Sequence, residues 1–490
     1  MDSTQPKRQL PPLRIALIPV VILIVLLFLT IRTFGSDALS GASQIVLLTT
    51  AAICAALAVF VGKIPWKEIE EAMCNNILGV AVALIILLLI GALSGAWMIS
   101  GIVPTLIYYG MQILHPSIFL ASCCLICAVI SVMTGSSWTT IATIGIALMG
   151  IGEAQGFDTG WVAGAIISGA YFGDKISPLS DTTVLASSVT DTPLFTHIRY
   201  MMITTVPSMT LALLIFFVAG LNHDATDSSQ IAAYAESLKG TFDISLWLLL
   251  VPVATGVLIA KKVPSIVTLF LSAAMAGIFA LIFQPHLLGE IAGGGTDAGS
   301  IFKGLFVTFY GSTQIETGNA ALDSLVATRG MGGMMNTVWL IICAMCFGGA
   351  MTASGMLESL TSFFLRFMKR RVSLVASTVV SGLTLNICTA DQYISIILNG
   401  NMFKDIYRKK GFESRLLSRT TEDAVTVTSV LVPWNSCGMT QATILGVPTL
   451  VYLPYCFFNL ISPLMSIIVA IIGYKITQHH EEETQNLPVS

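Results

Sequence analysis

Long apolar runs recur along the chain and restrict it to folds that cross a membrane. Three early runs cover residues 15–31, 45–61 and 78–93, and none contains a charged residue. About 20 apolar residues in a helix cross the roughly 30 Å hydrocarbon core of a bilayer. Only 10% of the 490 residues are charged, against about 25% in soluble proteins. We therefore predict an all-α polytopic membrane protein that contacts the lipid bilayer.

Several other functional classes are disfavoured by the same composition. The formal net charge of −3 gives no reason to expect a nucleic-acid partner. Most of the ten cysteines lie inside apolar runs such as residues 121–129, which is typical of packing residues in helices. No cysteine and histidine spacing predicts a resident metal or other cofactor. No HExxH or GxSxG motif indicates an enzyme.

An internal repeat is visible in the spacing of two landmarks. Thr134 begins TGSSW and Pro178 follows 44 positions later, while Thr389 begins TADQY and Pro433 also follows 44 positions later. Both landmarks shift by 255 positions, which predicts two related halves. We expect an N-terminal segment with the first span (1–40), repeat 1 (41–220), connecting spans (221–294), repeat 2 (295–475) and a cytoplasmic tail (476–490).

The basic residues predict that the two halves have opposite orientations. Lys7, Arg8 and Arg14 place the N-terminus on the cytoplasmic side. Counting spans from there, the span at 78–99 starts inside, whereas its equivalent at 337–355 starts outside. The acidic segment 221–243 then falls outside, and the last span, 448–474, returns the C-terminus to the cytoplasm. Inverted repeats of this kind are found in many secondary transporters.

Each half contains two apolar stretches with a polar break. Residues 117–150 break at TGSSW and residues 372–410 break near CTADQ, and we predict that both are re-entrant hairpins. Residues 161–195 break at GDKISPLSD and about 415–445 break at VPWNSCG, and we predict interrupted helices. Non-helical backbone at membrane depth is tolerated only where protein or a water-filled cavity satisfies it. A site is therefore expected where the four breaks meet.

The side chains at these breaks suit a small hard cation. Hydroxyl, amide and carboxylate oxygens are ligands of hard ions, and half-helix ends supply dipoles and free carbonyls. We place Na⁺ at Asp181, Ser137, Asp391 and Asn435. The full set of candidate cation- or proton-binding residues is Thr134, Ser136, Ser137, Asp174, Ser177, Ser180, Asp181, Thr182, Thr389, Asp391, Glu422, Asp423, Asn435 and Ser436.

The charged members of that set carry the strongest signal. An ionised side chain in mid-membrane costs at least about 2.5–3.5 kcal/mol on insertion scales, so several together indicate a function. Structural alternatives stay open. Asp181 is also placed to cap the next half-helix, Glu422 and Asp423 would fit a solvated first turn, and Lys175 would fit a structural ion pair. Gly160, Gly164 and Ser168 recur every four residues, which predicts close helix packing.

Several motifs together resemble a known family. The segments GAYFGDKISPLSDTTVLAS (169–187), TGSSWTT, TADQY and TEDAVTVTSVLVPWNSCG resemble those of the NhaC-type Na⁺/H⁺ antiporters, in the ion transporter superfamily. The resemblance covers roughly residues 10–475. It implies a secondary active transporter of the bacterial inner membrane that exchanges Na⁺ or Li⁺ for H⁺ by alternating access. It also implies scaffold and transport domains, a homodimer and an elevator movement.

The same resemblance leaves the substrate open. The family contains members similar to malate/lactate exchangers and amino-acid carriers. The alternative is therefore a Na⁺- or H⁺-coupled carrier of a small organic acid or amino acid, in which Lys175 and half-helix N-termini would bind a carboxylate and Arg419 would assist. Aromatic residues near the breaks, which would fit either substrate contact or packing, are Trp138, Tyr171, Tyr393 and Trp434.

Overall fold

The computed structural model describes residues 10–34, 41–222, 228–261, 263–318, 322–323, 326–365 and 370–478. Throughout these residues the chain is helical, and its β structure is limited to two isolated bridges, Thr313 with Thr328 and Phe412 with Gln478. Eight of the described helices are long and apolar enough to cross a membrane, or ten if two bent pairs each form one span. The predicted all-α polytopic membrane fold is confirmed.

The helices up to the middle of the chain include both breaks of the first half. In order they are α1 (Leu13–Phe34), α2 (Ala42–Phe60), α3 (Trp66–Gly79), α4 (Ala81–Ile99), α5 (Ile102–Ile113), α6 (Pro116–Thr134), α7 (Ser137–Thr140), a π turn (Ile141–Gly145), α8 (Ile146–Ala154), α9 (Thr159–Ile176), α10 (Asp181–Val189) and α11 (Leu194–Leu221).

The remaining helices include both breaks of the second half. They are α12 (Ser228–Thr241), a 3-10 turn (Leu246–Leu249), α13 (Leu250–Ala260), α14 (Ser265–Phe283), α15 (Pro285–Ile291), α16 (Ala298–Tyr310), α17 (Gly330–Gly333), α18 (Met335–Ala353), α19 (Met356–Leu365), α20 (Arg371–Thr389), α21 (Gln392–Lys409), α22 (Ser414–Thr421), a π turn (Glu422–Thr426), a 3-10 turn (Ser429–Leu431), α23 (Ser436–Leu445), α24 (Thr449–Tyr452), a 3-10 turn (Leu453–Tyr455) and α25 (Phe457–Ile472).

Small residues let α9 pack against two neighbours at backbone distance. On one side, a Cβ built at Gly169 would lie 2.0 Å from the carbonyl oxygen of Cys124 in α6. On the other side, a Cβ at Gly164 would lie 2.5 Å from the carbonyl oxygen of Tyr455. The hydroxyl of Ser168 accepts a hydrogen bond from the Phe458 N–H at 3.4 Å. The predicted close packing of the small-residue stripe on α9 is confirmed.

The last predicted span, 448–474, is broken rather than continuous. Residues Thr449–Tyr455 and Phe457–Ile472 meet at an angle of 56°. The chain contains Pro454 just before the bend, and proline lacks the N–H that would continue the helical ladder. The bend places Tyr455 against Gly164, so the tight contact with α9 and the break occur at the same point.

The segment predicted as an acidic outer loop, 221–243, contains α12. Of its acidic residues, Asp224 and Asp227 lie outside the described residues. Lys7 and Arg8, on which the predicted orientation also rests, and residues 479–490 of the predicted tail likewise lie outside the described residues. The inverted topology and the domain boundaries therefore stay predictions. The structure adds α15, α16 and α17, which the sequence analysis did not anticipate.

We expect Gly169→Ala to destabilise the protein by about 1–3 kcal/mol, because the added methyl must push α6 away from α9. The measurement is the thermal unfolding midpoint in detergent. Gly256→Ala in α13 is the matched control, since no atom lies within 4 Å of a Cβ built there. An unchanged midpoint in Gly169→Ala would contradict the close α6–α9 contact.

Candidate functional site

A new helix starts directly after each of the four polar breaks, and each start is capped by a side chain. The capping residues are Ser136 for α7, Ser180 for α10, Asp391 for α21 and Asn435 for α23. Such side chains accept hydrogen bonds from otherwise unpaired N–H groups in the first helical turn. Each break thus presents the positive end of a helix dipole, which stabilises a nearby negative charge.

The two hairpin tips use the same hydrogen bonds. The hydroxyl of Thr134 accepts from the N–H of Ser136 (3.2 Å) and pairs with the hydroxyl six residues further on (3.2 Å). The hydroxyl of Thr389 accepts from the N–H of Asp391 (3.2 Å) and also pairs with the hydroxyl six residues further on (2.7 Å). The 255-residue spacing in the sequence therefore corresponds to a repeated local structure at the two tips.

Both tips turn through a single residue with left-handed backbone. Gly135 has φ 66° and Ala390 has φ 58°. Glycine adopts this conformation freely, whereas alanine pays about 1–2 kcal/mol for it. Backbone strain of this kind persists where the surrounding structure fixes it, and it concentrates at functional sites.

A buried carboxylate and a serine hydroxyl connect a hairpin tip to an interrupted helix in each half. In the first half, Oδ2 of Asp174 accepts from the hydroxyl (2.7 Å) and the N–H (3.2 Å) of Ser137. In the second half, Oδ2 of Asp391 accepts from the hydroxyl of Ser436 at 3.1 Å. The carboxylate is on the interrupted helix in the first case and on the hairpin tip in the second, so the roles are exchanged.

The Asp174–Ser137 contact has a counterpart at the 255-residue spacing. There the hydroxyl of Ser429 donates to the amide oxygen of Gln392 at 3.3 Å. The hairpin tip and the interrupted helix therefore meet through polar side chains at the same relative positions in both halves. Ser429 was not among the residues predicted from the sequence, and the 255-residue spacing from Asp174 was the signal that could have found it.

Asp181 occupies a different position from the other two aspartates. Its side chain is exposed, and it begins α10 directly after the capping residue Ser180. The residues 255 positions before Asp391 and Ser436 are Ser136 and Asp181, so Asp181 is the counterpart of Ser436. Asp181 also interacts electrostatically with Asp174. It thus lies at the edge of the same polar region and does not cap α10 itself.

Tyr393 lies near the three aspartates. Its side chain is within electrostatic range of Asp174, Asp181 and Asp391. One polar region therefore contains carboxylates from both halves, with the hydroxyls of the hairpin tips beside them. This region, which we call the aspartate cluster, consists of Asp174, Asp181, Asp391, Tyr393 and the serines that bind the carboxylates, Ser137 and Ser436.

Lys175 is engaged outside the aspartate cluster. Its ammonium group forms an ion pair with Asp423, and both side chains are fully buried. Asp423 accepts three further hydrogen bonds, from the hydroxyls of Ser462 (3.0 Å), Ser466 (2.6 Å) and Thr204 (3.2 Å). Lys175 therefore does not pair with its neighbour Asp174, and the charge of Asp423 is already balanced.

The interpretation of Glu422 and Asp423 as a solvated first turn is wrong, because both side chains are 0% exposed. Apolar residues follow them in sequence, but α20, α21, α22 and α25 cover this turn from several sides. Ser462 and Ser466 were also missed. Their spacing of four on the largely apolar α25 was the available signal.

The remaining predicted residues form hydrogen bonds to the backbone and to one another. The hydroxyl of Ser177 donates to the carbonyl of Val132 at 2.8 Å. Ser180 and Thr182 hydrogen-bond to each other at 3.0 Å. The side-chain oxygen of Asn435, which we had predicted as a Na⁺ ligand, accepts from the Cys437 N–H at 3.1 Å as part of the α23 cap.

Comparisons with known proteins identify relatives of this chain. Residues 169–474 match the Na⁺/H⁺ antiporter family. The chain is 36% identical over 410 residues to the Na⁺/H⁺ antiporter NhaC of Bacillus subtilis, covering 83% of this chain and 88% of that protein. It is also 36% identical over 410 residues to the malate-2H⁺/Na⁺-lactate antiporter of B. subtilis, covering 83% of this chain and 85% of the relative.

A third relative extends over nearly the whole chain. The arginine/ornithine antiporter ArcD of Halobacterium salinarum is 33% identical over 473 residues, covering 96% of this chain and 94% of that protein. All three relatives are named as transporters and none as an enzyme. The family match and these identities show that this multi-pass membrane protein belongs to the Na⁺/H⁺ antiporter family of secondary transporters.

Proposed function

We propose that the chain exchanges Na⁺ or Li⁺ for H⁺ at the aspartate cluster, and that the two ions compete for the carboxylates of Asp174 and Asp391. The observation that carries this proposal is the pair of carboxylate–hydroxyl contacts, Asp174 with Ser137 and Asp391 with Ser436, each between a hairpin tip and an interrupted helix. Carboxylate and hydroxyl oxygens at broken helices provide the hard ligands that Na⁺ requires.

The local electrostatics fit a site that binds one cation at a time. The N–H of Ser137 donates to Asp174, and the N–H of Ile394 donates to Asp391 at 3.0 Å. These contacts stabilise the ionised carboxylates, which would otherwise be costly to bury. Either Na⁺ or H⁺ then neutralises the negative charge. Competition between the two ions couples their movements in opposite directions without requiring a separate gate for each.

Asp181 supports the same function from the edge of the cluster. Its exposed carboxylate lies within electrostatic range of Asp174. We propose that it attracts Na⁺ to the cluster and completes its coordination when the hairpin tip and α10 approach each other. Asn435 keeps its capping contact in this arrangement, so we assign it a supporting role rather than that of a cation ligand.

A carrier of organic solutes is the second candidate function, and the relatives named as malate/lactate and arginine/ornithine antiporters favour it. A carboxylate substrate would need a free cationic side chain. Lys175 is paired with Asp423. Arg419 is fully buried, with its guanidinium 4.0 Å from the carboxylate of Asp423 and over the ring of Tyr200 at 4.7 Å. Neither is placed in the aspartate cluster, so we favour exchange of Na⁺ and H⁺.

The cellular setting follows from the same proposal. We propose that the protein lies in a bacterial inner membrane with both termini in the cytoplasm, as the basic residues of the sequence predict. We further propose a homodimer in which repeats 1 and 2, residues 41–220 and 295–475, contribute inverted halves. In that arrangement the hairpins and interrupted helices would move together in an elevator manner.

We expect Asp174→Asn to lower the Na⁺-driven exchange rate by about 100-fold, because the amide cannot carry the charge that Na⁺ and H⁺ share. The assay uses purified protein in liposomes with a pH-sensitive dye. Asp158→Asn is the matched control, since Asp158 is exposed at the start of the same helix and asparagine caps helices equally well. Wild-type exchange in Asp174→Asn would exclude this carboxylate from the mechanism.

Na⁺ alone should dissipate an imposed pH gradient across these liposomes, with no organic solute present. Li⁺ should act similarly and K⁺ should not. Acidification should weaken the binding of Na⁺, because protons occupy the same carboxylates. Where they are protonated, the Na⁺ concentration for half-maximal exchange should rise by about tenfold per pH unit. A gradient that decays only when malate, lactate or an amino acid is added would instead establish the organic-solute carrier.

A further inference from the structure

The carboxyl group of Glu422 is the most isolated buried acid among the described residues. Its side chain is 0% exposed, and neither carboxyl oxygen has a hydrogen-bond partner there. Asp174, Asp391 and Asp423 are buried too, but each accepts hydrogen bonds. Removing an ionised carboxylate from water without such compensation is expensive. Glu422 is therefore most stable in this conformation when it carries a proton.

The backbone around Glu422 is also unusual. Residues Glu422–Thr426 form a π turn between α22 and the second break, and such turns are frequent at functional sites. Thr426 is also buried, at 1% exposure. Its hydroxyl lies near the Glu422 carboxyl group, and neither group has a hydrogen-bond partner of good geometry.

The charges near Glu422 come from α9 and from its own turn. Lys175, Asp174 and Asp423 interact with it electrostatically. Lys175 is paired with Asp423, and Arg419 lies 4.0 Å from the same carboxylate, so both cations are engaged with Asp423 and neither forms an ion pair with Glu422. Asp174 would repel a negative charge on Glu422. An ionised Glu422 and an ionised, cation-free Asp174 are therefore an unfavourable combination, which links the protonation of Glu422 to the occupancy of the aspartate cluster.

The other elements packed against this turn supply no ion-pair partner. Helix α25 contains no charged residue, α20 contains only Arg371, and α10 contains only Asp181. Arg371 lies at the far end of α20 and donates to the backbone carbonyl of Ala470 at 2.8 Å. The charged residues of α21 and α22 are Lys404, Asp405, Arg408, Lys409, Arg415 and Arg419, and none is ion-paired or hydrogen-bonded to Glu422.

We propose that Glu422 carries a proton of its own through the exchange cycle, in addition to the proton that competes with Na⁺ in the aspartate cluster. The step forms and breaks only the O–H bond of the carboxyl group: water donates the proton on one side of the membrane and accepts it on the other. This inference rests on the proposed function. It makes Glu422 a determinant of how many protons are exchanged for each Na⁺.

The test measures the coupling ratio in wild type and in Glu422→Gln. Liposomes hold a fixed pH gradient, and the Na⁺ gradient is varied until net H⁺ flux stops. With the membrane potential held at zero by valinomycin and equal K⁺ on both sides, that balance point gives the number of protons exchanged per Na⁺. We expect Glu422→Gln to exchange one proton fewer, while its Na⁺ affinity at alkaline pH stays within about twofold of wild type, since it is not a Na⁺ ligand. Glu358→Gln, an exposed carboxylate on α19, should keep the wild-type ratio.

Two results with folded Glu422→Gln would overturn the inference. An unchanged coupling ratio would make Glu422 a structural residue. Loss of Na⁺ binding at alkaline pH would make it part of the cation site. The proposed function has its own criterion, because it fails if wild-type protein shows no Na⁺-driven H⁺ movement. If the wild-type protein exchanges the ions and Glu422→Gln keeps the wild-type coupling ratio, only the role of Glu422 is rejected.

Glu422→Asp provides a second test that does not depend on the folding of the glutamine variant. It keeps a titratable group, so we expect the wild-type coupling ratio at a lower rate. Infrared difference spectra recorded between acidic and alkaline pH should contain the C=O band of a protonated buried carboxyl group, and that band should shift in Glu422→Asp. Identical spectra for wild type and Glu422→Asp would show that Glu422 does not titrate, which would also overturn the inference.

Discussion

Every backbone N–H or C=O group that lies outside a helix at membrane depth needs another hydrogen-bond partner. The site depends on how this chain supplies those partners. Lipid offers no hydrogen bonds, so a broken helix is stable only where the protein satisfies it. Here each break is capped by a side chain of its own, and serine hydroxyls that bind aspartates join the breaks in pairs. The constraint that makes the breaks costly also gathers their polar atoms in one region.

Close helix packing holds this region together. Glycines on α9 allow its backbone to touch α6 on one side and the bend before α25 on the other. The buried ion pair of Lys175 with Asp423 joins α9 to the second half of the chain. Replacing a buried pair by apolar residues is often neutral for stability, whereas removing one partner is costly. Its presence therefore fixes which elements lie together more than it adds to the free energy of unfolding.

The two halves use one local design with different side chains. The hairpin tips share their threonine hydrogen bonds and left-handed turns, yet the carboxylate is Asp174 on an interrupted helix in one half and Asp391 on a tip in the other. The second half also has the isolated acid Glu422. Under the proposed function, unequal acids in two locally similar halves would let different protons bind at different places, which a strictly symmetric pair of halves would not offer.

Hydropathy, helix-breaking residues and charges in apolar runs are local properties, so they were enough to predict the membrane class, the four breaks, the repeat spacing and the candidate aspartates. They do not specify which charges meet. Lys175 and Asp423 are 248 positions apart, and Asp423 looked solvated because its burial comes from other helices. The bend before α25 and the isolation of Glu422 likewise depend on neighbours distant in the chain. Only the tertiary structure decides partners and burial, since both are properties of packing rather than of any single segment.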